Sequence, residues 1–200
     1  MAVKFTELES SDAPKVARLH IQGIHTGFIS SLGIDFVTAL YEAITQSKFS
    51  FGFVAKKNEK LLGFVAFTTN INKLYRSVVL KKGLRFTFLL AGKMLSVKLF
   101  KKTLETLFYP KRIRKMTLPS AELLSIVVSE QEQGKGLATK LITKGLEVCR
   151  KKGISQVKVL VGTNNEPANK LYQKCGFELA GQIDNHGILS NVYLKKTDSI

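Results

Sequence analysis

One turn of this 200-residue chain carries the residue types that hold an anion. It reads Gln-Gly-Lys-Gly-Leu-Ala-Thr and joins an apolar run at residues 123–128 to an amphipathic segment. The first N–H groups of a helix lack internal partners, and the helix dipole adds positive charge there. Glycine lets a phosphate approach that backbone closely. We therefore predict a diphosphate site formed by Gln133, Gly134, Lys135, Gly136, Leu137, Ala138 and Thr139.

Two familiar phosphate-binding motifs are absent from this turn. The Walker loop needs a glycine five residues before the Gly-Lys pair and Ser or Thr after it, and Gly136 follows Lys135. The dinucleotide fingerprint needs a third glycine, where this chain has Thr139.

A second informative segment follows about 30 residues later. Asn165 is suited to cap a helix, Pro167 to its first turn and Gly176 to its left-handed end. The pattern Q-x-x-G-x-A from Gln133, and N-x-x-A-x-x-x-Y-x-x-x-G-F from Asn165, resemble the motifs of GNAT N-acetyltransferases. The resemblance covers residues 121–177, is diffuse over residues 1–70 and is absent between them.

The resemblance implies an α/β fold in which a mixed central sheet, flanked by helices, is splayed at the acetyl-CoA site. It implies direct acetyl transfer from acetyl-CoA to a primary amine. The main chains of Ile126, Val127 and Val128 would pair with the pantetheine arm, and Asn165 would hydrogen-bond it from the other side. A backbone N–H around Val128 would stabilise the oxyanion. We expect residues 1–200 to form a single domain with an insertion at residues 72–119.

Tyr172 occupies the position of the family's general acid, and a phenol with a pKa near 10 is protonated at pH 7. Glu122 begins the central strand, where many relatives place a carboxylate base. Strict alternation puts Glu122 on the face of Ile126 and Val128, although a bulge would change this register. A water chain is an alternative base, as is one of three histidines: His20, His25 and His186. No cluster of ligating residues indicates a metal.

Hydrophobic periodicity predicts the remaining elements. We expect strands at residues 3–8, 51–56, 61–68, 121–128, 157–161 and 189–194, with a polar hairpin turn at residues 57–60. We expect helices at residues 12–24, 35–45 and 135–152. Cys149 falls on the apolar face of the last helix and is expected in the core.

Charge is concentrated in the insertion. The chain carries a net charge of +16, and residues 73–115 contain thirteen basic residues and one acidic residue. Residues 84–100 are apolar with interspersed basic residues, a pattern typical of a helix. This segment is interpreted as a lid near the acceptor site, as an amphipathic membrane-surface element, or as a dimer or solvated surface. Nucleic-acid binding is not favoured, because no recognised motif accompanies the charge.

The leading hypothesis is an N-acetyltransferase whose acceptor is an anionic small molecule such as a nucleotide-linked amino sugar. Protein lysine or N-terminal acetylation is an alternative, and so is a non-catalytic acyl-CoA-binding module at a membrane. The N-terminus lacks a signal peptide's apolar core, and no apolar run reaches the ~18 residues that span a bilayer. We therefore expect a cytoplasmic protein, with peripheral membrane contact through residues 73–115 left open.

Overall fold

The computed structural model describes residues 2–25, 27–80, 118–185 and 188–199. The predicted helix at residues 84–100 and most of the insertion lie outside these residues. Residues 71–80, at the start of the insertion, are helical.

A seven-stranded mixed sheet organises the described chain. Its order is β1-β2-β3-β4-β5-β7-β6, and every neighbouring pair is antiparallel except β4 and β5, which are parallel. The strands are β1 (Lys4–Glu7), β2 (Ser50–Lys57), β3 (Lys60–Thr68), β4 (Glu122–Val128), β5 (Gln156–Gly162), β6 (Glu178–Asn185) and β7 (Ile188–Lys196).

Helices cover both faces of the sheet. In chain order they are α1 (Ala13–Gly23), α2 (Phe28–Ser31), α3 (Ile34–Thr45), α4 (residues 71–80), α5 (Leu137–Lys151) and α6 (Glu166–Lys174). Buried residues of α1 and α3 form one core with β2, β3 and β4. Buried residues of α5 and α6 form a second core on the opposite face. Amphipathic helices bury one apolar stripe in this way. The predicted α/β fold with a mixed, helix-flanked sheet is confirmed.

The sheet opens between β4 and β5. Their register contains one pair, Glu122 with Lys158, and the Lys158 N–H donates to the Ala121 carbonyl at 3.1 Å. Beyond that pair the two parallel strands diverge. The central sheet is therefore closed at the start of β4 and splayed towards its end.

A bulge lies in β4 beside this opening. Ala66 of β3 faces Ser125 and Phe67 faces Leu123, so Leu124 has no opposite residue. An extra residue reverses the alternation of side chains along a strand.

Several boundaries differ from the sequence expectations for local reasons. The turn lies at residues 57–60 as predicted, but β2 and β3 extend into it, because Asn58 and Glu59 both take positive φ and Lys57 pairs with Lys60. Helix α5 begins at Leu137, not at residue 135, because Gly136 is left-handed with φ 77°. Strand β6 was not predicted from the sequence, and neither was the short helix α2.

No helix in the described ranges is long and apolar enough to cross a bilayer.

Candidate functional site

The turn before α5 presents unpaired N–H donors at the open end of the splay. Gly134 and Gly136 take φ values of 76° and 77°, which glycine adopts without strain. No side chain caps α5, and the first intrahelical bond runs from the Lys140 N–H to the Gly136 carbonyl at 3.1 Å. A Cβ at either glycine would meet nothing within 4 Å. The exposed N–H groups of the first turn are therefore free to face an anion.

Side chains fix this turn to the sheet. The Gln133 Nε2 donates to the Val128 carbonyl at 3.2 Å, which holds the turn against the end of β4. Lys135 lies 3.2 Å from Glu132 in an exposed ion pair, so it is available near the turn. The Thr139 side chain hydrogen-bonds Cys175. This bond competes with the predicted role of the Thr139 hydroxyl as a phosphate donor and leaves its main-chain N–H for that role.

The edge of β4 that faces the opening can pair with an extended ligand. The Ser129 N–H donates to Leu62 of β3 at 2.8 Å, and the Gln133 side chain takes the Val128 carbonyl on the other edge. Main-chain groups alternate between the two edges of a strand. Ile126 and Val128 therefore point their N–H and C=O groups towards the opening. Val127 points its main-chain groups towards β3. The predicted main-chain hydrogen bond from Val127 to a ligand is therefore not possible, and Val127 contributes only by packing.

Helix α6 forms the opposite wall. The Asn165 Oδ1 accepts from the Ala168 N–H at 3.2 Å, which is the cap that the sequence predicts. At the other end of α6 Gly176 is left-handed with φ 77°, as predicted. Asn165 is exposed and keeps its amide N–H₂ for a ligand.

Asn169 locks this wall in place, and sequence reasoning missed it. Its Nδ2 donates to the carbonyls of Asn165 at 2.8 Å and Gly162 at 3.0 Å. Its Oδ1 accepts from Asn191 at 2.7 Å and from the Tyr193 hydroxyl at 3.0 Å. One amide thus joins α6, the end of β5 and β7. The signal was present in the motif, where Asn169 stands four residues after Asn165 on a short helix.

Tyr172 lies on α6, and its ring is buried in the core to which α5 and α6 both contribute, with 5% of the residue exposed. It lies edge-on to Phe177 with ring centroids 5.8 Å apart. Burial raises the pKa of Tyr172 above its ordinary value of 10. Within the described residues its hydroxyl makes no hydrogen bond. The phenol therefore stays protonated at neutral and mildly alkaline pH, with its proton unused.

Glu122 lies at the closed end of the splay and is 7% exposed. Its Oε2 lies 3.3 Å from the Nζ of Lys158, which is 1% exposed and also donates to the Pro119 carbonyl at 2.5 Å. The bulge at Leu124 shows that strict alternation gave the wrong face. Glu122 does not share the face of Ile126 and Val128 but that of α4, where burial, and after it the charge of Glu122, raises the pKa of Tyr75.

The three histidines differ in their surroundings. His20 is 6% exposed, and burial lowers its pKa from 6.5 to about 4, so it is neutral at pH 7. Its Nδ1 lies 2.7 Å from the Tyr41 hydroxyl, which lies 2.8 Å from the Ser125 hydroxyl. His25 is exposed beyond the end of α1. His186 lies outside the described residues.

Neither cysteine is poised as a nucleophile. Cys149 is fully buried on α5, as the sequence predicts, and burial raises its pKa to about 12. Burial also raises the pKa of Cys175. A thiol with a raised pKa carries little thiolate at neutral pH. Residues with metal-ligating side chains form no group of three or more in the part of the chain that the structure covers.

The sequence analysis missed two side-chain contacts of β4, that of Glu122 with Lys158 and that of Ser125 with Tyr41. Lys158 is a lone cation in the apolar run Val-Lys-Val-Leu-Val of β5, and a buried charge requires a partner. That requirement could have paired it with Glu122. The contact of Tyr41 with Ser125 joins residues 84 positions apart. No local pattern carries that information.

Together these features form a cleft suited to an extended ligand with an anionic end. The uncapped start of α5 can bind a diphosphate, and the edge of β4 can pair with amides. The Tyr172 ring is buried in the core on the α5 and α6 side, and Glu122 lies at the closed end of the gap.

Comparison with known proteins identifies the family. The profile of the acetyltransferase (GNAT) family matches residues 21–177. The streptothricin acetyltransferase of Escherichia coli is 39% identical over 61 residues, which are 30% of this chain and 35% of that protein. The chain spans between 19% and 35% of the length of the curated relatives that it matches.

Solved structures share the fold of this chain. An acetyltransferase of the GNAT family from Desulfovibrio desulfuricans aligns with a TM-score of 0.64 and 15% identity, covering 98% of this chain and 99% of that one. Arabidopsis thaliana NAA60 in complex with acetyl-CoA aligns with a TM-score of 0.64 and 14% identity, over the same shares of the two chains. With most of its length matched by the family profile, this chain belongs to the acetyltransferase (GNAT) family.

Proposed function

We propose that this protein transfers the acetyl group of acetyl-CoA directly to a primary amine. The observation that carries the proposal is the single residue pair between β4 and β5, with an uncapped helix start at the open end of the gap. This arrangement places an anion site at one end of an unpaired strand edge. A CoA thioester has a diphosphate and two amides in the same order.

Binding is assigned to main-chain groups. The N–H groups of residues 133–139 bind the diphosphate, and Lys135 adds charge at its side. The edge C=O of Ile126 and the edge N–H of Val128 pair with the amides of the pantetheine arm, as an added strand does. The free N–H₂ of Asn165 binds the arm from the α6 wall.

Chemistry then requires two proton transfers. The nitrogen of the neutral amine attacks the acetyl carbonyl carbon, the C–S bond breaks, and the nitrogen gives up one proton. Tyr172, whose proton is unused, donates to the departing thiolate. The amine's proton passes to Glu122 or to water. Glu122 is on the α4 face of the sheet, with its Oε2 3.3 Å from the Lys158 Nζ, and as a carboxylate it can accept a proton.

The acceptor is proposed to be an anionic small molecule. Support comes from the sequence alone, because residues 73–115 carry thirteen basic residues and one acidic residue. A basic surface raises the local concentration of anions and speeds their capture. A nucleotide-linked amino sugar combines such an anion with a primary amine.

The first test needs no acceptor. Calorimetric titration should give a 1:1 complex with acetyl-CoA, and much weaker binding of acetyl-pantetheine, which lacks the diphosphate. The second test measures release of the CoA thiol with a panel of amines. The panel contains nucleotide-linked amino sugars, uncharged amino sugars, polyamines and peptides with free lysine or N-terminal amines.

The outcomes separate the candidate functions. Thiol release with nucleotide-linked amino sugars and not with peptides supports the proposed acceptor class. Release with peptides alone would replace it by protein acetylation. Binding without release across the panel favours an acyl-CoA-binding module. No heat with acetyl-CoA would end the proposal.

A further inference from the structure

We propose that the Ser125 hydroxyl donates a hydrogen bond to the acyl carbonyl oxygen of the bound thioester, and that Tyr41 and His20 are positioning residues that aim it. The inference rests on the proposed function, since it concerns the same cleft. It adds a side-chain donor to the main-chain N–H groups of β4.

The three side chains form one hydrogen-bonded chain across the α1–α3 core. His20 on α1 lies 2.7 Å from Tyr41 on α3, and Tyr41 lies 2.8 Å from Ser125 on β4. The Tyr41 ring is 1% exposed and packs edge-on against Phe64 at 5.2 Å. Burial raises the pKa of Tyr41, so its hydroxyl keeps its proton. Such a chain has fixed geometry, because apolar neighbours hold its inner members.

The donor-to-acceptor direction of these hydrogen bonds follows from the surroundings of His20, the most deeply placed of the three residues. The His20 Nε2 is buried without a hydrogen-bond partner in the described part of the protein. Orphaned N–H donors are rarer in protein interiors than acceptors with unused lone pairs. We therefore place the proton of the neutral ring on Nδ1, which donates to the Tyr41 oxygen. Tyr41 then donates to Ser125, and Ser125 must donate outward.

Ser125, the outermost of the three hydrogen-bonded residues, lies where we expect the acyl group of the bound thioester. A ligand held at residues 133–139 and extended along β4 runs from Val128 towards the closed end at Glu122. The bulge at Leu124 lies on that path and places Ser125 beside the edge N–H of Ile126. Ser125 is half-buried, while Tyr41 and His20 are buried, so the chain opens at its serine end. Two neighbouring donors are the usual composition of an oxyanion site.

The chain is not a route for the amine's proton. A net transfer inward would charge His20, whose pKa burial lowers to about 4. The groups that face His20 from the packed elements are the Tyr41 hydroxyl of α3 and the Phe64 ring of β3, which stacks at 6.5 Å. Neither supplies a negative charge that would stabilise an imidazolium.

The test compares affinities for acetyl-CoA and CoA by calorimetry, because CoA lacks the carbonyl. In Ser125→Ala the preference for acetyl-CoA over CoA should fall about five- to tenfold, the loss of one hydrogen bond, while CoA affinity stays within about twofold. With acetyl-CoA labelled with ¹³C at the carbonyl, the bound C=O stretch should rise in frequency in the variant. Ser50→Ala, which loses a hydroxyl bond to the Ile44 carbonyl at 2.6 Å away from the cleft, is the matched control.

Variants at the inner end separate positioning from folding. His20→Asn keeps a donor near the Nδ1 position and should retain most of the acetyl-CoA preference, whereas His20→Leu should lose it. Tyr41→Phe should behave like His20→Leu. Unchanged preference and an unchanged carbonyl stretch in Ser125→Ala, with CoA still bound, would overturn this inference and leave the proposed function standing. Loss of all CoA binding by the wild-type protein would overturn both.

Discussion

In the proposed mechanism, Tyr172 is the residue on which the chemical step depends most directly. Its pKa is raised by burial, so Tyr172 holds its proton throughout the pH range of an ordinary assay. We expect Tyr172→Phe to lower kcat by roughly 10²-fold or less, with little change in acetyl-CoA affinity, because the ring's packing is kept. Steady-state kinetics with the best amine of the panel, together with calorimetry, check this.

Phe177→Leu is the control for Tyr172→Phe, because it disturbs the same aromatic pair and removes no proton donor. A kcat for Tyr172→Phe equal to that of the wild type would refute the acid assignment. A large loss of acetyl-CoA affinity would instead indicate that the hydroxyl binds the ligand.

The pair of Glu122 and Lys158 makes a separate prediction about stability. Removing one member of a buried ion pair leaves the other uncompensated, which costs about 3–5 kcal/mol. We expect Glu122→Leu to lose about this amount in urea unfolding. Glu122→Leu with Lys158→Met should recover most of it, since neither charge is then buried. Full stability of Glu122→Leu would show that the 3.3 Å contact does not act as an ion pair.

The base assignment of Glu122 is tested by a milder change. Glu122→Gln keeps the shape of the side chain and removes its proton affinity. If Glu122 accepts the amine's proton, the acidic limb of the pH–rate profile disappears in this variant. A profile that keeps the wild-type shape assigns the proton transfer to water.

At the scale of the element, helix α5 supplies an internal control for the anion site. Gly136 before its start and Gly153 after its end both take positive φ, 77° and 69°, and a Cβ at either would meet no atom within 4 Å. Alanine at each position should therefore cost a similar ~1–2 kcal/mol of stability. Gly136→Ala places its methyl group where the diphosphate must approach, and Gly153→Ala does not.

We expect acetyl-CoA affinity to fall at least about tenfold in Gly136→Ala and to stay unchanged in Gly153→Ala. Calorimetry measures the affinity, and urea unfolding confirms that the two variants are equally destabilised. Equal affinities in both variants would move the diphosphate away from the start of α5.

The elements also show what the sequence could and could not supply. Asn165, Pro167 and Gly176 cap or terminate a helix through local backbone geometry. Their residue types alone therefore predicted α6 correctly. The start of α5 was placed two residues early, because a glycine in a phosphate turn can be either helical or left-handed. The bulge at Leu124 depends on register with β3, and the face of Glu122 depends on that bulge. Both are properties of two strands together.

At the scale of the whole molecule, the features that the sequence did not predict are contacts between segments distant along the chain. The motifs at residues 133–139 and 165–177 indicated the family, because left-handed backbone positions and helix caps restrict residue types. The Asn169 bonds to Asn191 and Tyr193, and the chain from His20 to Ser125, join separate elements. Polar residues at such positions look like ordinary surface residues until the fold brings them together.

The net charge of +16 makes a prediction about the rate at which the protein associates with its proposed anionic ligand, acetyl-CoA. The screening length falls from ~30 Å at 0.01 M salt to ~8 Å at 0.15 M. We expect the association rate of acetyl-CoA in stopped-flow measurements to fall roughly tenfold or more over this range, because steering by a surface field is screened. Acetyl-pantetheine, which is uncharged, should associate at a rate that salt does not change.

Two variants with the same loss of charge locate the field. One replaces four basic residues of the insertion by glutamine: Lys111, Arg112, Arg114 and Lys115. The other replaces four exposed basic residues that lie on separate segments of the chain: Arg18, Lys48, Lys60 and Lys151. If the insertion directs the ligand, the first variant slows association at low salt more than the second, because a clustered charge focuses the field while a dispersed one does not. Equal slowing would mean that net charge alone acts, and the case for an anionic acceptor near the insertion would lose its support.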